Sequence, residues 1–417
     1  MIIEKNNCNI PEYLDGTFFK KALVSRIKCD DVEIKGLHFT MGSSGGENYL
    51  SLIYRVRISY KLPNLPQGDE TFIVKSIPLG GAKEIFADMN IYEKEKEMYF
   101  NIMPKIEDIL KSIKITPRCY YAVDNPIATI VFEDMKASGY EVADRIEGLN
   151  EEHCKVLLTK LGRYHAGGMM LLKQEPSIRE NYLLKHGIIS SVSFSPILWG
   201  KYWDDGISRL ANHASKWLGY EKIVGKLRKI HQNGIFVERI KDSMRISKND
   251  ILTVCHGDTW VNNLLFQYEF NEESPTDVVL IDFQGSIVGS IGLDVNYFLH
   301  SSLQVDVFAS KRKDLIRNSY CNALRTTLQK GGFENIPTVQ DIENEIERKA
   351  VYGFMATIIV LPFVSMKKED SGDSNFETLS EESSANRLKD SACSSPRFLE
   401  TMKILLKEYD QCGMLDF

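Results

Sequence analysis

The sequence predicts an α+β chain of two lobes, an antiparallel sheet in residues 1–134 and a mainly helical body in residues 135–417. Three observations carry this. Strand-like runs crowd the first third, helical periodicity dominates the remainder, and two polar motifs each close a β-branched apolar run deep in the second part. At 417 residues the chain is long enough to bury a full core in each lobe.

Gly36-Leu37-His38-Phe39-Thr40-Met41 reads as the first strand. Further on, Leu50, Leu52, Tyr54, Val56, Ile58 and Tyr60 alternate with the polar Ser51, Arg55, Arg57 and Ser59, the period of a half-buried strand. Between them lies Gly42-Ser43-Ser44-Gly45-Gly46-Glu47-Asn48-Tyr49. By itself this is a hairpin turn; its glycines would also let backbone N–H groups approach phosphate with no Cβ in the way. Thr71-Phe72-Ile73-Val74-Lys75 is a further strand ending in a lysine. A helix follows at 85–103, where Tyr92, Tyr99 and Ile102 share a face with Glu95, and Glu93 and Glu97 fall elsewhere. A carboxylate on a packed face needs a cation, and Lys75 is the obvious partner. Ala128-Thr129-Ile130-Val131-Phe132-Glu133-Asp134-Met135 is an apolar strand ending in two acids, where the lobes would join.

In the second part, 295–303 is helix-like, and 350–366 is strongly apolar but short and interrupted by Pro362, which favours a buried helix over a membrane span. Residues 367–386 are polar, acidic and Gly/Ser-rich, reading as a loop between helices. Helical spacing returns at 397–409, with Phe398, Met402, Leu405 and Leu406 on the inner face. A net charge of −6 offers no basic face for nucleic acid and no polybasic membrane anchor. The N-terminus lacks a signal-peptide pattern, so a cytoplasmic protein is expected, with no obligate protein partner evident. Eight scattered cysteines show neither Cys-x-x-Cys nor metal-ligand spacing, and Cys255 reads as an inert core thiol.

The chemistry is concentrated in Val254-Cys255-His256-Gly257-Asp258-Thr259-Trp260-Val261-Asn262-Asn263 and Val279-Leu280-Ile281-Asp282-Phe283-Gln284. An Asp closing an apolar strand is, alone, often a turn residue or a helix cap. Together and in this order the two motifs read as the halves of a phosphoryl-transfer centre. Such transfer needs a carboxylate to orient an acceptor hydroxyl and take its proton, and oxygen ligands for Mg²⁺. Asp258 fits the first role; Asn263 and Asp282 fit the second. His256 is expected to brace the loop rather than act as a base. The earlier elements then acquire roles toward ATP: Gly45, Gly46, Glu47 and Asn48 around the phosphates, Lys75 on the α- and β-phosphates with Glu95 behind it, and backbone groups at 132–135, including Glu133 and Met135, on the adenine edge.

These motifs, with Tyr92-x-x-Glu95-x-x-x-Tyr99, Phe132-Glu133-Asp134-Met135, His165-Ala166 and Gly292-Leu293-Asp294, resemble the landmarks of the insect ecdysteroid kinase-like family, itself similar to choline and aminoglycoside kinases. The resemblance spans residues 30–415. It implies a protein-kinase-like fold and ATP-dependent phosphorylation of a small-molecule hydroxyl, in named members an ecdysteroid. By position it makes Asp258 the catalytic base, Asn263 and Asp282 the Mg²⁺ ligands, and Lys75 with Glu95 the phosphate-positioning pair. Thr259 and Phe132 stand where family members often carry leucine.

A peptide substrate is disfavoured, because residues 285–294 run straight into the 295–303 helix with no Ala-Pro-Glu segment. Asp294 is expected to cap a helix or brace the catalytic loop. A mostly apolar acceptor pocket is expected in the second lobe, near the aromatic stretch with Phe194, Trp199, Tyr202, Trp203, Trp217 and Tyr220, although such spacing also suits helix core. Alternative acceptors are choline-like, aminoglycoside-like or xenobiotic alcohols. A silent nucleotide- or ligand-binding protein is the rival of another class, and intact Lys75, Asp258, Asn263 and Asp282 argue against it.

Overall fold

The computed structural model describes residues 2–4, 10–42, 51–77, 91–111, 113–186, 196–233, 235–269, 274–367, 369 and 382–416. Strands β1 (Ile2–Glu4), β2 (Glu33–Met41), β3 (Leu52–Lys61), β4 (Gln67–Ser76), β5 (Cys119–Val123) and β6 (Thr129–Glu133) form one sheet in the order β1-β2-β3-β4-β6-β5. Every pairing in it is antiparallel except β1 beside β2. The alternation in β3 holds from Tyr54 onward: Tyr54, Val56 and Ile58 point inward with Leu37, Phe39, Phe72 and Val74. Against them pack Phe18, Phe19 and Leu23 of α1 (Gly16–Ile27), which Asp15 caps through the Phe18 N–H at 2.9 Å. Leu52, at the strand's mouth, is 41% exposed and falls outside the pattern.

Because successive strand residues face opposite sides, Ile73 and Lys75 turn away from α1 toward a second core. On that side lies α2 (Ile91–Glu97), followed by a π-helical turn at Met98–Ile102 and α3 (Met103–Ile109). The helix expected at 85–103 therefore continues to Ile109 with a widened turn in its middle, and its residues 85–90 lie outside those described. Pro104 follows directly on the widened turn, at the start of α3.

The second lobe is built on α4 (Glu151–Gln174), capped by Asn150 and buried along most of its inner length. Beside it lie a three-stranded sheet, β10-β9-β7, made of β7 (Tyr140–Val142), β9 (Leu264–Tyr268) and β10 (Pro275–Leu280), and a ribbon of β8 (Leu252–Cys255) with β11 (Ile287–Ser290). Helices α5 (Pro176–His186), α6 (Pro196–Ala214), α7 (Glu221–Asn233) and α8 (Ile235–Met244) precede the ribbon, and α9 (Ile291–Ser301) follows it, capped by Ser290. The remainder is helical: α10 (Val305–Ser310), α11 (Arg312–Leu315), a second π turn (Ile316–Cys321), α12 (Asn322–Lys330), α13 (Val339–Arg348), α14 (Ala350–Ile359), α15 (Leu361–Val364), α16 (Glu382–Ala392) and α17 (Pro396–Gln411). The apolar 350–366 stretch is buried in protein as α14 and α15. Among the described residues no helix is long and apolar enough to cross a membrane. Residues 382–386, expected in a loop, begin α16, in keeping with the helix formers Ala385, Arg387, Leu388 and Lys389; residues 368 and 370–381 lie outside the described set.

Candidate active site

The loop after β8 is held from below by one buried carboxylate. Asp294 accepts the His256 N–H on Oδ2 (2.7 Å) and the Gly257 N–H on Oδ1 (2.8 Å), and its main-chain oxygen accepts the Thr259 hydroxyl at 2.9 Å. His165 Nε2 lies 3.0 Å from Asp294 Oδ2, and its Nδ1 lies 2.6 Å from the Tyr320 hydroxyl. Burial opposes ionisation of Asp294, but the His165 contact and the loop N–H groups prevail and hold its carboxyl below the usual range. Gly257 has φ +83°, and a Cβ there would stand 2.0 Å from the Gly285 carbonyl, so the turn admits only glycine. His256 donates Nε2–H to the Ile281 carbonyl (2.9 Å) and accepts the Asp258 N–H on Nδ1 (3.2 Å). Burial lowers its pKa, and these two bonds select one neutral tautomer. The ring is a brace between two backbone segments.

Above this brace, Asp258 is half-buried with both carboxylate oxygens engaged. Oδ1 accepts the Tyr297 hydroxyl at 2.6 Å, and Oδ2 accepts Asn263 Nδ2 at 2.9 Å. Burial pushes the carboxyl up to about 7; the Tyr297 hydrogen bond opposes that rise and the Asp282 charge adds to it. The Trp260 indole N–H also favours the charged form, although it has no hydrogen-bond partner of good geometry among the described residues. Asn263 Nδ2 also donates to the Asp258 main-chain oxygen (3.0 Å), which turns the amide Oδ1 away from Asp258. The Ile281 N–H donates to the Asn263 carbonyl at 3.0 Å, tying the loop after β8 to the segment that carries Asp282.

Asp282 sits in the left-handed region at φ 65°, ψ 63°, a conformation uncommon for a residue with a Cβ. Its N–H donates to the Tyr99 hydroxyl at 3.1 Å. Phe283, next in the chain, packs its ring on Tyr99 (5.4 Å between centroids) and on His256 (4.5 Å). Asp282 Oδ1 lies 2.8 Å from Lys75 Nζ, and the same ammonium reaches Glu95 Oε1 and Oε2 at 2.9 and 2.8 Å. Burial works against the charge on Lys75, but the flanking Asp282 and Glu95 carboxylates win and raise its pKa. Burial pushes Glu95 up, opposed by Lys75 and reinforced by Asp282. Two short contacts to one ammonium support an ionised pair. Of the α2 acids it is Glu95 that meets Lys75, while Glu93 bonds Lys96 at the surface.

At the junction of the lobes, the Glu133 side chain is already committed: its carboxylate accepts Lys114 Nζ (2.6 Å) and the Arg118 N–H (3.0 Å), and its own N–H donates to the Arg118 carbonyl (2.9 Å). Both of the bonds to its side chain fall on one oxygen, Oε2. Met135 is buried and opens a 3₁₀ turn, Met135–Ser138, capped by Asp134, which also accepts Arg55 Nε from β3 at 2.6 Å. Gly45, Gly46, Glu47 and Asn48 lie outside the described residues, as do the side chains of Phe194, Trp199, Tyr202 and Trp203. Tyr220 is core, closed over Trp217 at 5.2 Å. Sequence reasoning missed Tyr297. It follows Asp294 by three residues on α9, so the face that braces the loop also carries it, and that spacing was there to be read.

A sheet lobe bearing a lysine–glutamate pair, set on a helical lobe whose loop presents Asp and Asn and whose next strand delivers another Asp, is the architecture of a kinase-like phosphotransferase. The profile of the ecdysteroid kinase-like family matches residues 45–333, and the chain belongs to that family. It is a small-molecule kinase. Among solved structures the chain is similar to a Plasmodium vivax ethanolamine kinase (13% identity, TM-score 0.42, covering 90% of this chain and 86% of that one). It is also similar to a choline kinase from Cryptosporidium parvum Iowa II (13%, 0.44, 96% and 98%) and to a spectinomycin phosphotransferase in complex with ADP and spectinomycin (13%, 0.39, 89% and 93%). No curated protein matches the chain.

Proposed function

We propose that this chain transfers the γ-phosphoryl group of ATP·Mg²⁺ to a hydroxyl of a small alcohol, with an ecdysteroid as the first acceptor to try. The observation that carries the reading is that Lys75 of the sheet lobe lies 2.8 Å from Asp282, whose charge in turn bears on Asp258. In this reading Asp258 orients the alcohol and takes its proton, the alcohol oxygen forms the new bond to phosphorus, and the bond from phosphorus to the bridging oxygen breaks to release ADP. Asn263 Oδ1 and Asp282 would hold Mg²⁺; both are hard oxygen donors. Among the described residues no group of three or more His, Cys, Asp or Glu side chains forms a metal cage, which suits an ion completed by phosphate and water. Bound there, the ion neutralises charge on the phosphates. Lys75, kept in place by Glu95, would contact the α- and β-phosphates. The backbone of Gly45, Gly46, Glu47 and Asn48 would cover them, and the Glu133 carbonyl and Met135 N–H would meet the adenine edge. We put the lobe boundary at 134/135, beside the Arg55–Asp134 contact.

The test is transfer of labelled γ-phosphate to a panel of ecdysteroids and other small alcohols, with mass spectrometry of the products and Asp258→Asn alongside. A phosphorylated steroid that disappears in the variant supports both chemistry and acceptor class. Turnover unchanged in Asp258→Asn would sink the assignment of the base.

A further inference from the structure

We propose that the hydroxyls of Tyr297 and Tyr352 form the acceptor side of this site and receive the alcohol beside Asp258. The inference rests on the phosphotransfer reading and adds the groups that hold its second substrate. Tyr297 donates its proton to Asp258 Oδ1, which leaves its oxygen lone pairs free to accept from an incoming hydroxyl. Tyr352, on α14, stands against it with ring centroids 6.0 Å apart and planes inclined by 37°. It is 6% exposed, and its hydroxyl has no hydrogen-bond partner among the described residues. The hydroxyl is not among the fully buried unpartnered side-chain oxygens, so it opens to accessible space, and that opening beside the proposed base is where a ligand hydroxyl would meet it.

The surrounding charges agree. The carboxylates that bear on Tyr352 are those of Asp294 and Asp258, and both are occupied, Asp294 by the loop N–H groups and His165, Asp258 by Tyr297 and Asn263. What the pair offers an acceptor is therefore aromatic surface and two neutral hydroxyls. Its position also links the loop to the aromatic-rich insertion: α14 packs on α9 and on α6, and a Cβ at Gly206 of α6 would stand 2.5 Å from the Ile358 side chain. The glycine lets α6 come that close to the helix that carries Tyr352.

Tyr297→Phe and Tyr352→Phe decide the matter, assayed with ecdysone as a neutral polyhydroxylated probe and choline as a cationic one. ATP·Mg²⁺ affinity and melting temperature serve as controls for folding. Tyr352→Phe is expected to raise KM for ecdysone about tenfold, with KM for ATP changed less than about twofold. Tyr297→Phe is expected to lower kcat about tenfold, because Asp258 loses the bond that sets its orientation. An unchanged acceptor KM in Tyr352→Phe, or equal losses for ATP and acceptor, overturns the assignment. So does transfer to choline alone with a KM indifferent to either substitution, which would make the rings a cation cage. Wild type silent toward both probes overturns the inference, and turnover that survives Asp258→Asn overturns the reading beneath it.

Discussion

Lys75 Nζ lies 2.8 Å from Asp282 Oδ1 while it holds both oxygens of Glu95, so a single ammonium joins β4 and α2 to the segment that follows β10. In the proposed reading, nucleotide phosphates share that ammonium. Lys75→Met, which keeps the length of the stem, is expected to raise KM for ATP and to lower kcat by about 10²–10³-fold. Steady-state titration with ATP checks this, and a kcat within twofold of wild type would remove Lys75 from the mechanism.

Asp294 holds two loop N–H groups on two separate oxygens. Asn at this position must present an amide NH₂ to one of those donors. Asp294→Asn should lower unfolding free energy by about 1.5–3 kcal/mol and reduce kcat at least about tenfold. Urea unfolding and turnover measured on one preparation test both parts; stability and turnover both at wild-type level contradict the brace.

Gly257 and Gly219 share φ +83°, yet a Cβ on Gly219 would meet nothing within 4 Å while one on Gly257 would collide with Gly285. Gly219→Ala is expected to lose about 1–2 kcal/mol by backbone strain alone and to retain activity. Gly257→Ala suffers the strain and the collision, and should abolish turnover. Active Gly257→Ala enzyme would mean that the loop has room to move.

His300 is buried between the Asn296 carbonyl and the Tyr409 hydroxyl, and burial, with Arg312 nearby, lowers its pKa to about 3. An unfolded histidine titrates at about 6.5, so between about 6.5 and about 3 the unfolded chain binds the proton first. Stability therefore falls as pH drops through that window, by up to about 1.4 kcal/mol per pH unit from this residue. Comparing urea midpoints of wild type and His300→Gln at pH values of about 7.5, 5.5 and 4.5 should show a shallower acid loss in the variant. Parallel curves would mean that His300 takes up its proton while folded.

Much of this arrangement was legible because strand parity and motif order are local. Lys75 at the end of a strand-like run and Glu95 on the packed face of α2 were expected to pair, and they meet at 2.9 Å. Three things were not legible. The π turn at Met98–Ile102 is one extra residue in a helix that otherwise keeps its apolar spacing, so its sequence looks like ordinary helix. Glu133 is taken by Lys114, a residue in a connection whose path depends on where α3 ends. Tyr352 meets Tyr297 only because α14 packs on α9, an adjacency set by the whole helical lobe rather than by any short stretch.

Helix α9 carries Asp294 and Tyr297 a single turn apart, one gripping the loop from beneath and the other reaching the Asp258 carboxylate. A change at Tyr297 therefore leaves the grip of Asp294 on the loop untouched, whereas a change at Asp294 releases the loop on which the partner of Tyr297 stands.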